Sequence, residues 1–263
     1  MSLKAAVFQS DGAGLTPTQR LDRLATTIDG VNYDLVICPE LFMSGYNTGD
    51  KRSELAEALD GPFSRAVAKV ARQNQTAIVY GYPEREGDRI FNSACCIAAD
   101  GARLANHRKL AIPPGIEMGQ FEPGSSLTFF DLGGIRFSIL ICYDAEFPEA
   151  VRAACCLGAQ AVIVPTALSD QWDQVAHRVI PARAFENGCY LLYANHSGTE
   201  GELNYLGCSC IIGPDGRDLA RASADGELLT GQLLWEHVTE ARTRLPYFRD
   251  LKDLKPRLAS RLN

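Results

Sequence analysis

Apolar residues arrive in short bursts along this chain, and two spacings alternate between them. Residues 5–9, 35–38, 77–81, 91–98 and 104–107 are β-branched or aromatic runs of buried-strand length, bounded by Gly, Pro and Asp. Between them lie segments with helical spacing. Thr16 reads as an N-cap with Pro17 at the first helical position and Gln19 closing a capping box; Leu21, Leu24, Ala25 and Ile28 form its apolar face. Pro62 opens a second helix with Phe63, Ala66, Val67 and Val70 facing inward. Phe129-Phe130 and residues 135–141 flank a turn at Gly133-Gly134. The alternation then repeats as helix 148–157, strand 161–164, helix 172–187 and strand 189–195. Residues 208–212 and 228–234 read as strands around the Pro214-Asp215-Gly216 turn, and the segment after Trp235 is charged and helical in pieces. The pattern predicts a mixed α/β sandwich without sequence repeats or linkers. One stretch does not fit as a connection. From Lys109 to Gly124 the chain holds Pro113, Pro114, Gly115, Gly119 and Pro123, too long for a plain loop, which points to binding or a lid.

Composition narrows the picture. With 263 residues, 46% hydrophobic and 22% charged, the chain is an ordinary globular protein able to bury a large core in one domain, 1–263. A net charge of −6 argues against a nucleic-acid partner or an anionic membrane. No apolar run reaches spanning length, and the start lacks a signal peptide's layout. The nine cysteines are odd in number and mostly lie inside apolar runs; no CxxC occurs, and Cys208-x-Cys210 is too isolated for a metal site. A reducing cytoplasm is expected, with eight structural thiols and one reactive one, and no metal or other cofactor.

The reactive one is Cys142. It ends the apolar run 135–141 and precedes Tyr143-Asp144-Ala145-Glu146-Phe147-Pro148-Glu149 and an Ala-rich helical segment. A cysteine on a tight strand-to-helix turn exposes its sulfur beside free backbone N–H groups, which suits a nucleophile; the plain alternative is a core thiol. Glu40 and Lys109 also follow strands, and ligand sites gather beyond strand ends in α/β sheets. A carboxylate to take the thiol proton and an ammonium to stabilise developing negative charge complete a chemical set. His177 and His196 have no partner spacing and read as structural or rim residues, although a Cys–His thiol enzyme stays open at this point.

The ordered set of Pro39-Glu40-Leu41-Phe42 with Gly45-Tyr46, His107-Arg108-Lys109, Glu117 before Phe121-Glu122-Pro123-Gly124, Ile141-Cys142-Tyr143-Asp144 with Phe147-Pro148-Glu149, and Arg183-Ala184-Phe185-Glu186-Asn187 resembles the nitrilase superfamily of carbon–nitrogen hydrolases from Lys4 to at least Asp215. The resemblance implies a four-layer α-β-β-α sandwich of two mixed β-sheets and homodimers or larger assemblies, the tail from about 236 to 263 contributing contacts. It implies that Glu40 is general base, Lys109 the oxyanion-stabilising cation and Cys142 the nucleophile. Glu117, eight residues past Lys109, matches the second glutamate that positions substrate and the first glutamate. Three acids around one cation give Glu40 a reason to bind its proton more tightly. The Cys-Tyr-Asp-x-Glu-Phe-Pro-Glu pattern is most similar to small amidases acting on aliphatic or amino-acid amides. Ureido and nitrile substrates, and a catalytically silent binding subunit, are the alternatives. Tyr46, Tyr143, Glu146 and Trp172 are the expected substrate contacts, with the Tyr143 N–H in the oxyanion site. Glu146 stands where several acid-amide hydrolases have arginine, so it should disfavour acidic substrates. Pro165-Thr166-Ala167 departs from the family's Pro-x-Asn and leaves that corner without a carried-over role. Substrate choice is expected to depend on the loops at 50–53, 112–121 and 167–172.

Overall fold

The computed structural model describes residues 2–49 and 51–259. In chain order it contains β1 (Ser2–Gln9), α1 (Pro17–Ile28), β2 (Leu35–Ile37), α2 (Lys51–Glu54), α3 (Pro62–Asn74), β3 (Ala77–Glu86), β4 (Arg89–Ile97) and β5 (Arg103–Arg108). There follow β6 (Thr128–Leu132), β7 (Ile135–Ile139), α4 (Pro148–Cys156), β8 (Ala161–Pro165), α5 (Ile180–Asn187), β9 (Tyr190–Ala194), and the short pair β10 (Thr199–Glu200) and β11 (Leu203–Asn204). The chain continues through β12 (Cys210–Ile212), β13 (Asp218–Arg221), β14 (Glu227–Leu234), α6 (Trp235–Arg244) and α7 (Tyr247–Ala259). Asp50 of the expected 50–53 substrate loop, and positions 260–263 of the tail expected to contribute assembly contacts, lie outside the described residues; Lys51–Glu54 form α2, with Arg52 buried.

Two six-stranded sheets form, in the orders β14-β1-β2-β3-β4-β5 and β13-β12-β9-β8-β7-β6. Their inner faces meet in one apolar layer that includes Val7, Ile37 and Val79 from the first sheet and Phe137, Ile163 and Leu192 from the second. Side chains alternate across each strand, so the opposite faces carry a second apolar set. Val36, Ile78 and Cys95 pack with Leu24 of α1 and Val67 of α3, while Val162 and Leu191 pack with Val151 of α4 and Ala184 of α5. The layering is therefore α-β-β-α. Helix α1 begins as its capping box demands: the Thr16 hydroxyl accepts from the Gln19 N–H at 3.3 Å, and Gln19 Oε1 accepts from the Thr16 N–H at 2.9 Å.

Two expectations need correction. The Pro214-Asp215-Gly216 turn joins β12 to the four-residue edge strand β13, whereas β14 crosses to the other sheet and pairs antiparallel with β1 from Ser2↔Leu234 to Gln9↔Glu227. The segment 172–187 is not one α-helix. A 3₁₀ turn (Asp170–Trp172) and a π-helical stretch (Val175–Val179) precede α5. Pro181 has no N–H to continue the i→i−4 ladder, so regular helix starts only around it.

Candidate active site

Two of the candidate residues, Glu40 and Cys142, each follow a parallel strand, one in each sheet. Glu40 lies three residues beyond β2, on a turn where Leu41 takes φ +47°. Gly81 of β3 packs against this turn: a Cβ there would lie 2.7 Å from the Pro39 carbonyl and 2.8 Å from the Glu40 carbonyl carbon. Only glycine allows that approach. Cys142 lies beyond β7, also at φ +47°, and opens a 3₁₀ turn, Cys142–Glu146. A non-glycine residue held in the left-handed region costs on the order of 1–3 kcal/mol and is typical of functional turns. Lys109 directly follows β5; its N–H donates to the Asn92 carbonyl at 2.8 Å and its carbonyl accepts from Gly124 at 2.7 Å. Glu117 comes from the Pro/Gly-rich loop, whose length is thereby explained.

These elements bring Glu40, Lys109 and Glu117 into one cluster, each with an exposure of 0%. Lys109 Nζ donates to Glu40 Oε1 at 2.7 Å and to Glu117 Oε1. Asn92 Nδ2 donates to Glu40 Oε1 at 2.7 Å and to Glu117 Oε2 at 2.9 Å, and the Tyr46 phenol donates to Glu117 Oε1 at 2.9 Å. One cation thus serves two buried carboxylates. Burial pushes the Glu40 carboxyl up to about 7; the Lys109 ammonium pulls it down, and Glu117 pushes it up again. For Lys109, burial works against the charge, but Glu40, Cys142 and Glu117 together hold the ammonium well above its ordinary range. Glu40 Oε2 is buried and has no hydrogen-bond partner. It is the oxygen left free to take a proton.

The Cys142 thiol is raised by burial and by the Glu40 charge, against the pull of Lys109 and hydrogen bonds from the Thr166 hydroxyl and the Ala167 backbone. The resting sulfur is therefore a thiol that needs a base. The N–H groups of Cys142 and Tyr143 open the 3₁₀ turn, the position at which a helix leaves donors free for an anion. Asp144 fixes this turn from inside. Its carboxylate accepts from Ile141 N at 3.0 Å, Leu110 N at 3.0 Å and Ala111 N at 2.7 Å, locking the Cys142 turn to the segment after Lys109. At the other end Arg183 donates to the carbonyls of Ala145 at 3.3 Å and Glu146 at 2.6 Å, a cation on a helical C-terminus.

The substrate contacts expected from sequence have different fates. Tyr46 joins the cluster through Glu117. The Tyr143 ring stacks edge-on against Phe147, with centroids 4.9 Å apart. Glu146 is half-buried, its carboxyl raised by burial and lowered by Lys109 and Arg183, which places it within electrostatic reach of the cluster. Trp172 stands apart from the bonded network and is 60% exposed, because it ends the surface 3₁₀ turn instead of starting a helix. His177 is exposed, whereas His196 is buried and its Nε2–H donates to the Glu40 carbonyl at 2.7 Å. Burial holds His196 down to about 4, so it is neutral at pH 7. Neither imidazole is a partner of the Cys142 thiol, which removes the Cys–His reading. Sequence reasoning missed Asn92, Asp144, Thr166 and His196 as site-shaping residues. Asn92-Ser93 did carry a signal, since two polar residues inside a strand buried on both faces need partners.

Comparison with known proteins agrees with this geometry. The carbon-nitrogen hydrolase family matches residues 4–243. The chain belongs to this family. Within it, the chain is 39% identical over 261 residues to the "Hydrolase in pqqF 5′region" of Pseudomonas protegens, covering 98% of this chain and 90% of the relative. It is 33% identical over 218 residues to an "(R)-stereoselective amidase" of Pseudomonas sp, covering 82% and 79%. A mutant of the amidase from Nesterenkonia AN1, of the nitrilase superfamily, superposes with a TM-score of 0.84 at 32% identity over 92% of this chain and 95% of the other. That amidase has also been solved with butyramide bound, and with the acetamide moiety of fluoroacetamide attached covalently to its active-site cysteine. Among the described residues of this carbon–nitrogen hydrolase, no helix is long and apolar enough to cross a membrane.

Proposed function

We propose that this carbon–nitrogen hydrolase is an amidase that converts a small carboxamide to the carboxylic acid and ammonia through a Cys142 thioester. The observation that carries the reading is the unpartnered, buried Glu40 Oε2 on a carboxyl poised near 7, in a cluster whose single cation, Lys109, also feels the Cys142 sulfur. Glu40 Oε2 takes the thiol proton as sulfur attacks the amide carbon, and the C=O electron pair moves to oxygen. Lys109 and the Tyr143 N–H stabilise that oxyanion. Collapse breaks the C–N bond as Glu40 returns the proton to nitrogen, and ammonia leaves. A water deprotonated by Glu40 then attacks the thioester, giving the acid and the free thiol. Glu117, held by Tyr46 and Asn92, keeps Lys109 and Glu40 aligned and orients the amide. The amidase relatives, and the acetamide moiety carried by the active-site cysteine of the Nesterenkonia enzyme, support an amidase with a nucleophilic cysteine.

Glu146 is read as the selector of the acyl group: a half-buried carboxylate near the cluster repels an acidic substrate and accepts a neutral or amine-bearing one. Trp172 contributes at most a rim contact. A cytoplasmic location, a single domain over the whole chain, and homodimers or larger assemblies using the tail beyond 236 belong to the same reading. The test is ammonia release from a panel of neutral, acidic and amine-bearing amides, ureido acids and nitriles, with Cys142→Ala beside the parent. Release from neutral or amine-bearing amides that vanishes in the variant supports the amidase. Release only from ureido acids or nitriles moves the protein to another branch with the same nucleophile, and preference for acidic amides removes the role given to Glu146.

A further inference from the structure

Glu200 of β10 is buried, at 7% exposure, and no chemical step above uses it. Its bonds nevertheless point at the active site. Oε2 accepts from the backbone N–H of Tyr46 at 2.9 Å and of Asn47 at 2.6 Å, and from the Tyr205 hydroxyl at 2.7 Å. Oε1 faces Arg20 Nη2 at 3.2 Å, itself buried on α1, and the Asn47 side chain donates to the Glu200 carbonyl at 2.9 Å. One carboxylate therefore holds two consecutive N–H groups of the turn that leaves Glu40, from a residue more than 150 positions away in sequence. The approach is tight. Gly45, immediately before, sits at φ +81°, and a Cβ there would lie 2.7 Å from Arg20 Nη2, so this turn accepts the ion pair only with glycine.

The turn leads straight into the catalytic cluster. The Tyr46 phenol ends on Glu117 Oε1, the oxygen that also receives Lys109. Tyr205 reaches the same region by a second route: its ring lies 4.9 Å from that of His196, which grips the Glu40 carbonyl. Arg52 of α2 closes the other side by donating to the Tyr46 carbonyl at 2.8 Å. A neutral hydrogen-bond acceptor would hold the turn more weakly, because bonds to a carboxylate are about twice as strong as neutral ones.

We infer that Glu200 is a positioning residue of the active site: it fixes the Tyr46 backbone so that the phenol stays on Glu117 and the Glu117–Lys109 pair keeps its geometry. The inference rests on the amidase reading for its turnover measurement, but not for its second readout. Losing the phenol donor loosens the Glu117–Lys109 pair, and because the Lys109 ammonium is what pulls the Glu40 carboxyl down, the proton affinity of Glu40 rises. A structural ion pair elsewhere in the fold has no such effect.

The experiment compares the parent with Glu200→Gln, Tyr46→Phe and the double variant, each quantified by active-site titration. It records kcat and KM on the best amide, and the pH dependence of Cys142 alkylation by iodoacetamide, read on the Cys142 peptide. Expected are a roughly tenfold fall in kcat for Glu200→Gln with little change in KM, and an acid limb displaced to higher pH in both readouts. In the Tyr46→Phe background the same substitution should add almost nothing, because the route it acts through is gone. Losses that multiply, or a parental pH limb in Glu200→Gln, overturn the inference. If the parent turns over no amide, the proposed function falls, while the alkylation profiles still decide the role of Glu200.

Discussion

The two sheets repeat one pattern of pairing, yet they secure their reacting groups by different means. Read from β14 to β5 and from β6 to β13, neighbouring strands pair antiparallel, parallel, parallel, antiparallel and antiparallel. Each sheet also ends a parallel strand in a turn with a non-glycine residue at φ +47°. In the first half that residue, Leu41, follows the acid; in the second it is Cys142 itself. The Glu40 turn is held by close packing against Gly81, which has no counterpart at Cys142 among the described residues, as well as by hydrogen bonds from the His196 imidazole to the Glu40 carbonyl and from the Tyr46 and Asn47 N–H groups to Glu200. The Cys142 turn is held by charged hydrogen bonds, from Asp144 inside and Arg183 at its end. On the proposed roles, close packing suits Glu40, whose burial raises its proton affinity. Hydrogen bonds suit Cys142, which is half-buried and would have to meet substrate.

Lys109 is where the two halves meet, so its removal should have the largest effect. Lys109→Met leaves Glu40 and Glu117 side by side in the interior without a cation. Breaking a buried pair in this way costs on the order of 3–5 kcal/mol, and loss of the oxyanion's cation should lower turnover by about 10³-fold or more. Urea denaturation and ammonia release measure the two losses. Retention of a tenth of parental kcat would falsify the role given to Lys109.

Gly81→Ala breaks the packed side of the comparison. The new methyl meets backbone atoms of Pro39 and Glu40, which cannot swing away as a flexible side chain can. Overpacking of this kind costs roughly 1–3 kcal/mol, and a displacement of Glu40 by about 1 Å should lower kcat near 100-fold. Asp144→Asn breaks the hydrogen-bonded side with a smaller result. The amide keeps one acceptor oxygen, but its NH₂ group now faces backbone donors. About 1–3 kcal/mol of stability should be lost, with kcat down about tenfold. If Asp144→Asn proves worse than Gly81→Ala in kcat, the nucleophile turn is the more exacting of the two.

The contrast also explains what was legible in the sequence. Glu40, Lys109, Glu117 and Cys142 sit beside Pro, Gly and strand ends, and their order along the chain resembles a known family, so they stood out. Asn92 was hidden inside a strand, and besides the local bond from Ile141 to Asp144, Asp144 and Glu200 act on backbone N–H groups from 33 to 154 positions away, contacts that leave no local pattern. The same reason hid the path of β14. Its partner is the first strand of the chain, whereas the strand that truly follows the Pro214-Asp215-Gly216 turn is β13, Asp218–Arg221, too short and polar to read as one. Trp172 misled because aromatic character alone does not reveal which side of a surface turn faces solvent.

The smallest effect separates the two groups that flank the Glu40 backbone. Burial pushes the Glu40 carboxyl from 4.5 up to about 7 and the His196 imidazole from 6.5 down to about 4. Between about pH 4.5 and 7 the folded protein keeps a proton at Glu40 that the unfolded chain has released, so this group's contribution to stability declines as pH rises. Between about 4 and 6.5 the unfolded chain binds a proton at His196 that the folded protein refuses, so this contribution grows as pH rises. In the shared window the two slopes oppose each other. His196→Gln keeps a donor for the Glu40 carbonyl but removes the titration, and its stability should fall more steeply than the parent's as pH is raised from 4.5 to 6.5. Glu40→Gln should do the reverse, gaining stability across the same range. Urea midpoints taken at half-unit pH steps resolve both slopes. Identical pH dependence in parent and variants would mean that neither group is held away from its ordinary range by the packing around the Glu40 turn.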